Sequence, residues 1–306
     1  MRIGTRGSAL ALAQSGHVRS LLPGGEAAHR LEVIETAGDR NPQASLRRIG
    51  GKGVFTKEIE VALLEKRIDL AVHSLKDLPT EATPGLVIGA LLPREDPRDA
   101  LVSLNRASID RLPAGALVGT SSLRRRSQLL ARRPDLHVED LRGNVPTRLA
   151  RLEDGRLQAV IVAAAGLKRL NLLDRATELI DESLMLPAPG QGILVVQIRA
   201  EDTATAQAIG ALHDAESQAE AETERAFLSA LGGGCLVPIG ARARVEGGRI
   251  SLAGYVGHPS GRPSIRLNAD GAIDAPGELG RSLAAAMLEQ GAREILDEVR
   301  SDETFP

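Results

Sequence analysis

A chain of 306 residues with 42% hydrophobic and 25% charged side chains has the make-up of a soluble globular protein with room for two or three domains. A formal charge of −2 and 1% aromatic residues argue against a nucleic-acid binder, because both a basic field and stacking platforms for bases are lacking. One cysteine rules out an intramolecular disulfide, and the longest apolar run, Ala159 to Leu167, is too short to span a bilayer.

In chain order, MRIGT reads as a strand, 8–22 as a helix and HRLEVIETA as a strand. TKEIEVALLEKR is an amphipathic helix with Thr56 as its N-cap and Glu58 and Glu60 early in it, the conventional place for acids. IDLAVHS and GLVIGALL follow as strands. LLPREDPRDALV is rich in proline and charge and is expected to cross between domains. A second α/β series then runs ALVGT, SSLRRRSQLLARR, LHVED, NVPTRLARLEDG and LQAVIVAAAG as strand, helix, strand, helix, strand. LPAPGQGILVVQI holds a Pro/Gly break and a strand, the expected return crossing. A helix over 214–231 ends at glycine. Three period-two segments, broken at EGG and HPSGR, predict a three-stranded antiparallel sheet, and a helix closes the chain. The expected fold class is α/β: two α/β domains, 1–93 with 192–212 and 94–191, then an α+β domain over 213–306. No repeat at solenoid spacing is present.

Arginine placement is unusual. Arg124, Arg125 and Arg126 fall in the first turn of a helix that Thr120, Ser121 or Ser122 can cap. Arg142 and Arg148 flank a start with Asn144 as cap and Pro146 in the first turn, and Arg6 precedes Ser8. Cations oppose the positive end of the helix dipole, so three such starts point to an anionic ligand. No GxxxxGK[ST] or GxGxxG motif is present, which leaves carboxylates as the anions that bidentate arginines suit. A single cluster of this kind reads more simply as solvated surface arginine.

At AVHSLKDLP a strand ends where His73, Ser74, Lys76 and Asp77 appear together, at the edge where open α/β sheets bind ligands. An ionised Asp77 there suits a cationic intermediate; the plainer reading is a turn with Asp77 bonded to backbone N–H groups and His73 a satisfied core residue. The six histidines have no HExxH or CxxC company, so no protein-bound metal is expected. The lone Cys235 sits in LGGGCLVPIG, where glycines leave a thiol accessible.

The motifs TRGSALALAQ, GGKGVFTKEIEVALLE, DLAVHSLKDLP, REDPRDALVS, GTSSLRRRSQL, LRGNVPTRL, AAAGLKRL, LPAPGQG, ERAFL and GGGCLVPIGA, in this order, resemble the porphobilinogen deaminase family from end to end. The resemblance implies two domains like type II periplasmic binding proteins with the active site between them, and a third domain carrying a cofactor loop. It implies head-to-tail condensation of four porphobilinogen molecules with loss of ammonia, then hydrolytic release of hydroxymethylbilane. The cofactor it implies is a dipyrromethane in thioether linkage to Cys235. Asp77 matches the catalytic aspartate. Lys76, Ser74, Arg124, Arg125, Ser122, Arg148 and Gly192 match cofactor-binding positions, and Arg6, Ser8, Arg142, Arg169 and Lys52 match substrate-binding ones. Where the family often has a glutamate and, after the cysteine, a glutamine, this chain has Gln197 and Leu236. The expected partners are porphobilinogen and the growing chain, with no nucleic acid and no membrane; a cytoplasmic monomer is expected. RIGGKGV, 48–54, is expected to act as a lid. The main rival is a non-enzymatic dicarboxylate-binding protein, which leaves Cys235 and the third domain without a purpose.

Overall fold

The computed structural model describes residues 1–40, 53–234 and 237–302. From the N-terminus come β1 (Arg2–Thr5), α1 (Ala9–Leu21), α2 (Gly25–Ala28), β2 (Arg30–Val33), α3 (Ala37–Arg40), α4 (Lys57–Leu64), β3 (Leu70–Ser74) and β4 (Leu86–Leu91). Then follow β5 (Asp99–Ser103), β6 (Leu117–Gly119), α5 (Leu123–Arg132), β7 (His137–Glu139), α6 (Val145–Glu153), β8 (Ala159–Ala163), α7 (Ala164–Arg169) and β9 (Glu178–Leu179). The chain continues through β10 (Leu194–Arg199), α8 (Thr203–Ile209), α9 (Ala215–Ala230), β11 (Ile239–Glu246), β12 (Arg249–Gly257), β13 (Ser264–Ala272), α10 (Pro276–Met287) and α11 (Arg293–Ser301).

These elements form two compact units, Met1–Glu95 with Gly192–Gln218, and Asp96–Gln191 with Ala219–Pro306. The first holds a sheet in the order β2-β1-β3-β10-β4, with β1 parallel to β2 and β3, and β10 antiparallel to β3 and β4. The second holds a sheet in the order β7-β6-β8-β5-β9, with β6 parallel to β7 and β8, and β5 antiparallel to β8 and β9. Both sheets follow one plan: three parallel strands, one reversed strand, one edge strand. The reversed strands β5 and β10 are the first strand after each crossing, which places the crossings where proline and glycine mark them in the sequence.

Apolar patterning drives this layout. β3, β5, β8 and β10 are buried along nearly their whole length, as central strands covered on both faces must be. LQAVIVAAAG, expected as one strand, changes to α7 at Ala164, because an alanine run favours helix over strand. HRLEVIETA likewise stays extended only to Val33. α7, α8 and the two-residue β9 had no clear periodic signal.

The three-stranded antiparallel sheet β11-β12-β13 is present, and its full-length register runs Ile239 opposite Val256 and Gly257 opposite Ser264. α9 and α10 pack on it around Phe227, which is fully buried. A Cβ at Gly254 would lie 2.7 Å from the Phe227 ring, and one at Gly280 would lie 2.3 Å from the Thr223 carbonyl oxygen. The closing helix is interrupted at Gly291, whose φ of 98° separates α10 from α11. Polar contacts tie this layer to the rest of the second unit: Tyr255 and the α5 residue Ser127 meet through their hydroxyls at 2.7 Å, and Arg266 donates to the carbonyl of Glu182, in the turn after β9, at 2.6 Å. No helix among the described residues is long and apolar enough to cross a membrane.

Candidate active site

In the first unit β3 leads buried residues out to Ser74, and a single tight helical turn, Leu75–Asp77, follows. Leu75 and Leu78 are buried and pin that turn. Lys76 is half-buried between them and Asp77 is exposed. No group among the described residues bonds the Asp77 carboxylate, so the self-satisfied turn expected as the plainer reading does not form. Ser74 Oγ accepts from Gln14 Nε2 at 2.9 Å, which fixes the strand end against α1.

His73, one residue before, is buried as expected of a core histidine, and its Nε2 makes no hydrogen bond of good geometry among the described residues. Burial pushes it down to about 4, and the Arg6 charge adds to that, while Gln197 pulls it up. Gln197, on neighbouring β10, donates to Glu60 Oε1 at 3.1 Å.

Arg6 follows β1 and is clamped. Its Nη2 meets Asp39 Oδ1 at 2.6 Å, and its guanidinium carbon stands 4.1 Å from the Phe55 ring centroid. Burial pushes Asp39 up, but hydrogen bonds from Arg6 and Thr36 outweigh it and hold the carboxyl below its usual range. Ser8 caps α1, its Oγ accepting from Ala11 N at 3.2 Å. Gly192 has φ 95°, and a Cβ there would lie 2.3 Å from the Glu95 carbonyl oxygen, so only glycine fits.

In the second unit Ser122 caps α5, and the first turn of that helix carries no acid. The side chains of Arg124 and Arg125 are 4% and 7% exposed, and fully buried Asp99 on β5 pairs with both. Burial pushes Asp99 up, but the two guanidiniums outweigh it and hold the carboxyl far below the carboxylate range. Burial lowers Arg124, against the pull of Asp99. The α6 start is as expected: Asn144 Oδ1 accepts from Thr147 N at 2.9 Å, and the first turn is free of acids. Arg148 Nε donates to the Gly143 carbonyl at 2.9 Å. Arg142 lies in the turn before this cap, half-buried. Arg169 ends α7, where a cation complements the dipole instead of opposing it.

The loop that follows α9 starts from a fixed base. Gly232 has φ 64°, a Cβ at Gly233 would lie 2.3 Å from Leu228 Cδ1, and Arg300 Nη2 bridges the carbonyls of Leu231 and Gly232 at 3.0 and 2.9 Å. No described atom lies within 4 Å of where a Gly234 Cβ would stand. Cys235, Lys52, Leu236 and all of the 48–54 segment but Gly53 and Val54 lie outside the described residues.

The structure therefore brings Arg124, Arg125 and Ser122 together on one helix start, and Ser74, Lys76 and Asp77 on one strand end. Thr56 heads α4 as expected, yet its buried Oγ1 has no partner among the described residues and makes no cap bond to the helix. Sequence reasoning missed Asp99, Asp39 and Gln191, whose Nε2 donates to Asp99 Oδ1 at 3.0 Å. Asp99 lies within the stretch expected only to cross between domains, and an acid inside a short apolar strand was the available signal. No cluster of three or more metal-ligating side chains occurs among the described residues.

Two family models match: "Porphobilinogen deaminase, dipyromethane cofactor binding domain" over residues 1–207 and "Porphobilinogen deaminase, C-terminal domain" over 218–289. Porphobilinogen deaminases of Brevibacillus brevis and Acidithiobacillus ferrooxidans are each 48% identical, the first over 97% of both chains and the second over 98% of both. That of Deinococcus radiodurans is 46% identical over 97% of this chain and 98% of its own. Among solved structures, a Salmonella typhimurium periplasmic binding protein has a TM-score of 0.38 at 16% identity, covering 71% of this chain and 93% of its own. Likeness at that level adds nothing to the topology described above. The near full-length identity and the two family models leave one assignment: the chain belongs to the porphobilinogen deaminase family.

Proposed function

We propose, residue by residue, how this chain performs the family's reaction. It is a transferase, a hydroxymethylbilane synthase that joins four porphobilinogen molecules head to tail with loss of ammonia and releases the linear product with water. When bound, its dipyrromethane supplies the pyrrole end to which each new unit is added.

The donor set fits so acidic a group. Each pyrrole carries two carboxylates, and the α5 start offers two buried guanidiniums against one carboxylate. A guanidinium has five N–H donors, so the pairing with Asp99 leaves donors for a ligand. A capping hydroxyl that accepts a backbone N–H still has its own proton to donate, which suits Ser122 to a carboxylate, and Ser8 likewise. In this reading Cys235 is the thioether anchor, and Lys76, Ser74, Ser122, Arg124, Arg125, Arg148 and Gly192 hold the cofactor. Arg6, Ser8, Arg142, Arg169 and Lys52 receive the carboxylates of incoming substrate, with Arg6 exchanging Asp39 for its ligand.

Asp77 carries the chemistry. Loss of ammonia generates positive charge on the substrate, and a carboxylate beside it lowers the barrier; the same group can take the proton released when a ring regains aromaticity. The observation that carries this role is that Asp77 is exposed just past the end of β3, with its carboxylate unbonded among the described residues. We further read the protein as a cytoplasmic monomer of three domains, 1–93 with 192–212, 94–191 and 213–306, the last bearing the cofactor loop.

Intact-mass spectrometry tests the reading. Wild type is expected to carry two pyrrole units that Cys235→Ser lacks, and to release hydroxymethylbilane from porphobilinogen. A wild-type mass equal to that of the bare chain, with no gain after incubation with porphobilinogen, contradicts it.

A further inference from the structure

Asp99 accepts more hydrogen bonds than an ion pair needs. Its Oδ2 takes Arg124 Nη1 at 2.6 Å. Its Oδ1 takes Arg125 Nε at 3.0 Å, Arg125 Nη2 at 2.7 Å and Gln191 Nε2 at 3.0 Å. The same two arginines reach backbone carbonyls: Arg124 Nη1 that of Leu186 at 2.7 Å, and Arg125 Nη1 that of Ile161 at 3.0 Å. Gln191 also donates to the Pro97 carbonyl at 2.7 Å. Each guanidinium plane is thus held from two directions.

A purely structural purpose explains this poorly. Two adjacent guanidiniums repel, and burying both costs more than one carboxylate returns; apolar side chains would fill the same volume more favourably. Gln191 supplies a donor to Asp99 without adding a further charge. The arrangement makes sense when a second anion completes it.

We propose that Asp99 is a positioning residue for the reaction: it sets the guanidinium planes of Arg124 and Arg125 and leaves the pair one net positive charge, which one ligand carboxylate fills in a fixed orientation. Gln191 holds Asp99 in that pose. The proposal rests on reading Arg124 and Arg125 as cofactor-binding residues. Because those arginines orient the bound chain and do not capture free substrate, disturbing Asp99 changes kcat and leaves KM near its wild-type value.

The test uses full-length, cofactor-loaded Asp99→Asn, Asp99→Glu and Gln191→Leu. Intact mass gives the loaded fraction, circular dichroism melts report folding, and steady-state rates are expressed per loaded molecule. A misplacement of about 1 Å in a positioning group costs about 100-fold in rate. Asp99→Asn is therefore expected to lose about 100-fold in kcat per loaded molecule with KM changed less than about 3-fold, and Asp99→Glu to recover about 10-fold of that loss. Wild-type kcat in folded, loaded Asp99→Asn overturns the proposal, whatever happens to its melting temperature. If Asp99→Asn fails to fold or load, Gln191→Leu decides, since it keeps all three charges. A drop of about 3- to 10-fold in kcat at constant KM supports the proposal, and an unchanged kcat overturns it. A wild-type protein with neither cofactor mass nor turnover overturns the functional reading itself, and this proposal with it.

Discussion

Asp77 and Asp99 each sit at a strand of a five-stranded sheet and each directly follows a basic residue, Lys76 or Arg98, yet they stand in opposite environments. Asp77 is exposed in the first unit and makes no bond among the described residues. Asp99 is fully buried in the second unit and takes four hydrogen bonds. An unbonded carboxylate can respond to charge that develops on a substrate, whereas a saturated one can only hold its partners still. The contrast teaches that identical residue types divide into chemistry and architecture according to what already occupies their lone pairs. Mutation should therefore separate them by stability: Asp99 is expected to cost both stability and turnover, Asp77 turnover alone.

The largest effect on stability belongs to Asp99. Asp99→Asn leaves two buried guanidiniums without a carboxylate and is expected to lower the unfolding free energy by about 3–5 kcal/mol in denaturant melts. A loss below about 1 kcal/mol would mean that the arginines swing out to water, and the contrast with Asp77 would collapse.

Acid should next distinguish the units. His73 is held neutral to about 4, below its ordinary 6.5. Between those values the unfolded chain binds a proton that the folded chain refuses, so stability falls as pH drops through that window, by up to about 3 kcal/mol. Asp99 is depressed, so its contribution persists through that window and fades only below the ordinary carboxylate range. Hydrogen exchange read by peptide should show the first unit loosening before the second, and His73→Gln should flatten that pH dependence. Equal loosening of both units between pH 6.5 and 4 would go against the assignment.

The smallest effect compares helix caps. Ser8→Ala is expected to cost about 1 kcal/mol in thermal or denaturant melts. Ser122→Ala should cost less, since its cap bond is 3.5 Å against 3.2 Å for Ser8, while lowering cofactor loading more. The reverse ranking in both measurements would place the ligand-facing cap on the first unit.

Much of this was legible in the sequence because it rests on local rules. Central strands are mostly apolar runs, Ser and Asn stand as caps before α1, α5 and α6, and the antiparallel strands show a period of two, strictest in β13. The arginines at helix starts were visible as violations of dipole logic. What covered them was not. Asp99 lies 25 and 26 residues from its partners, and no spacing rule reports a long-range buried pair. The matching strand orders of the two large sheets were equally hidden, since topology repeats where residues do not. The Asp39 clamp on Arg6 spans 33 residues and escaped for the same reason. α7 was absorbed into a strand because AVIVAAAG is apolar throughout, and apolar runs give no period to read.

The central claim is that Asp77 acts in chemistry and holds nothing up. Cofactor-loaded Asp77→Asn, measured for single-turnover rate and melting midpoint together, tests it most directly. The account predicts a rate at least about 100-fold below wild type with an unchanged midpoint. Turnover at the wild-type rate would contradict it.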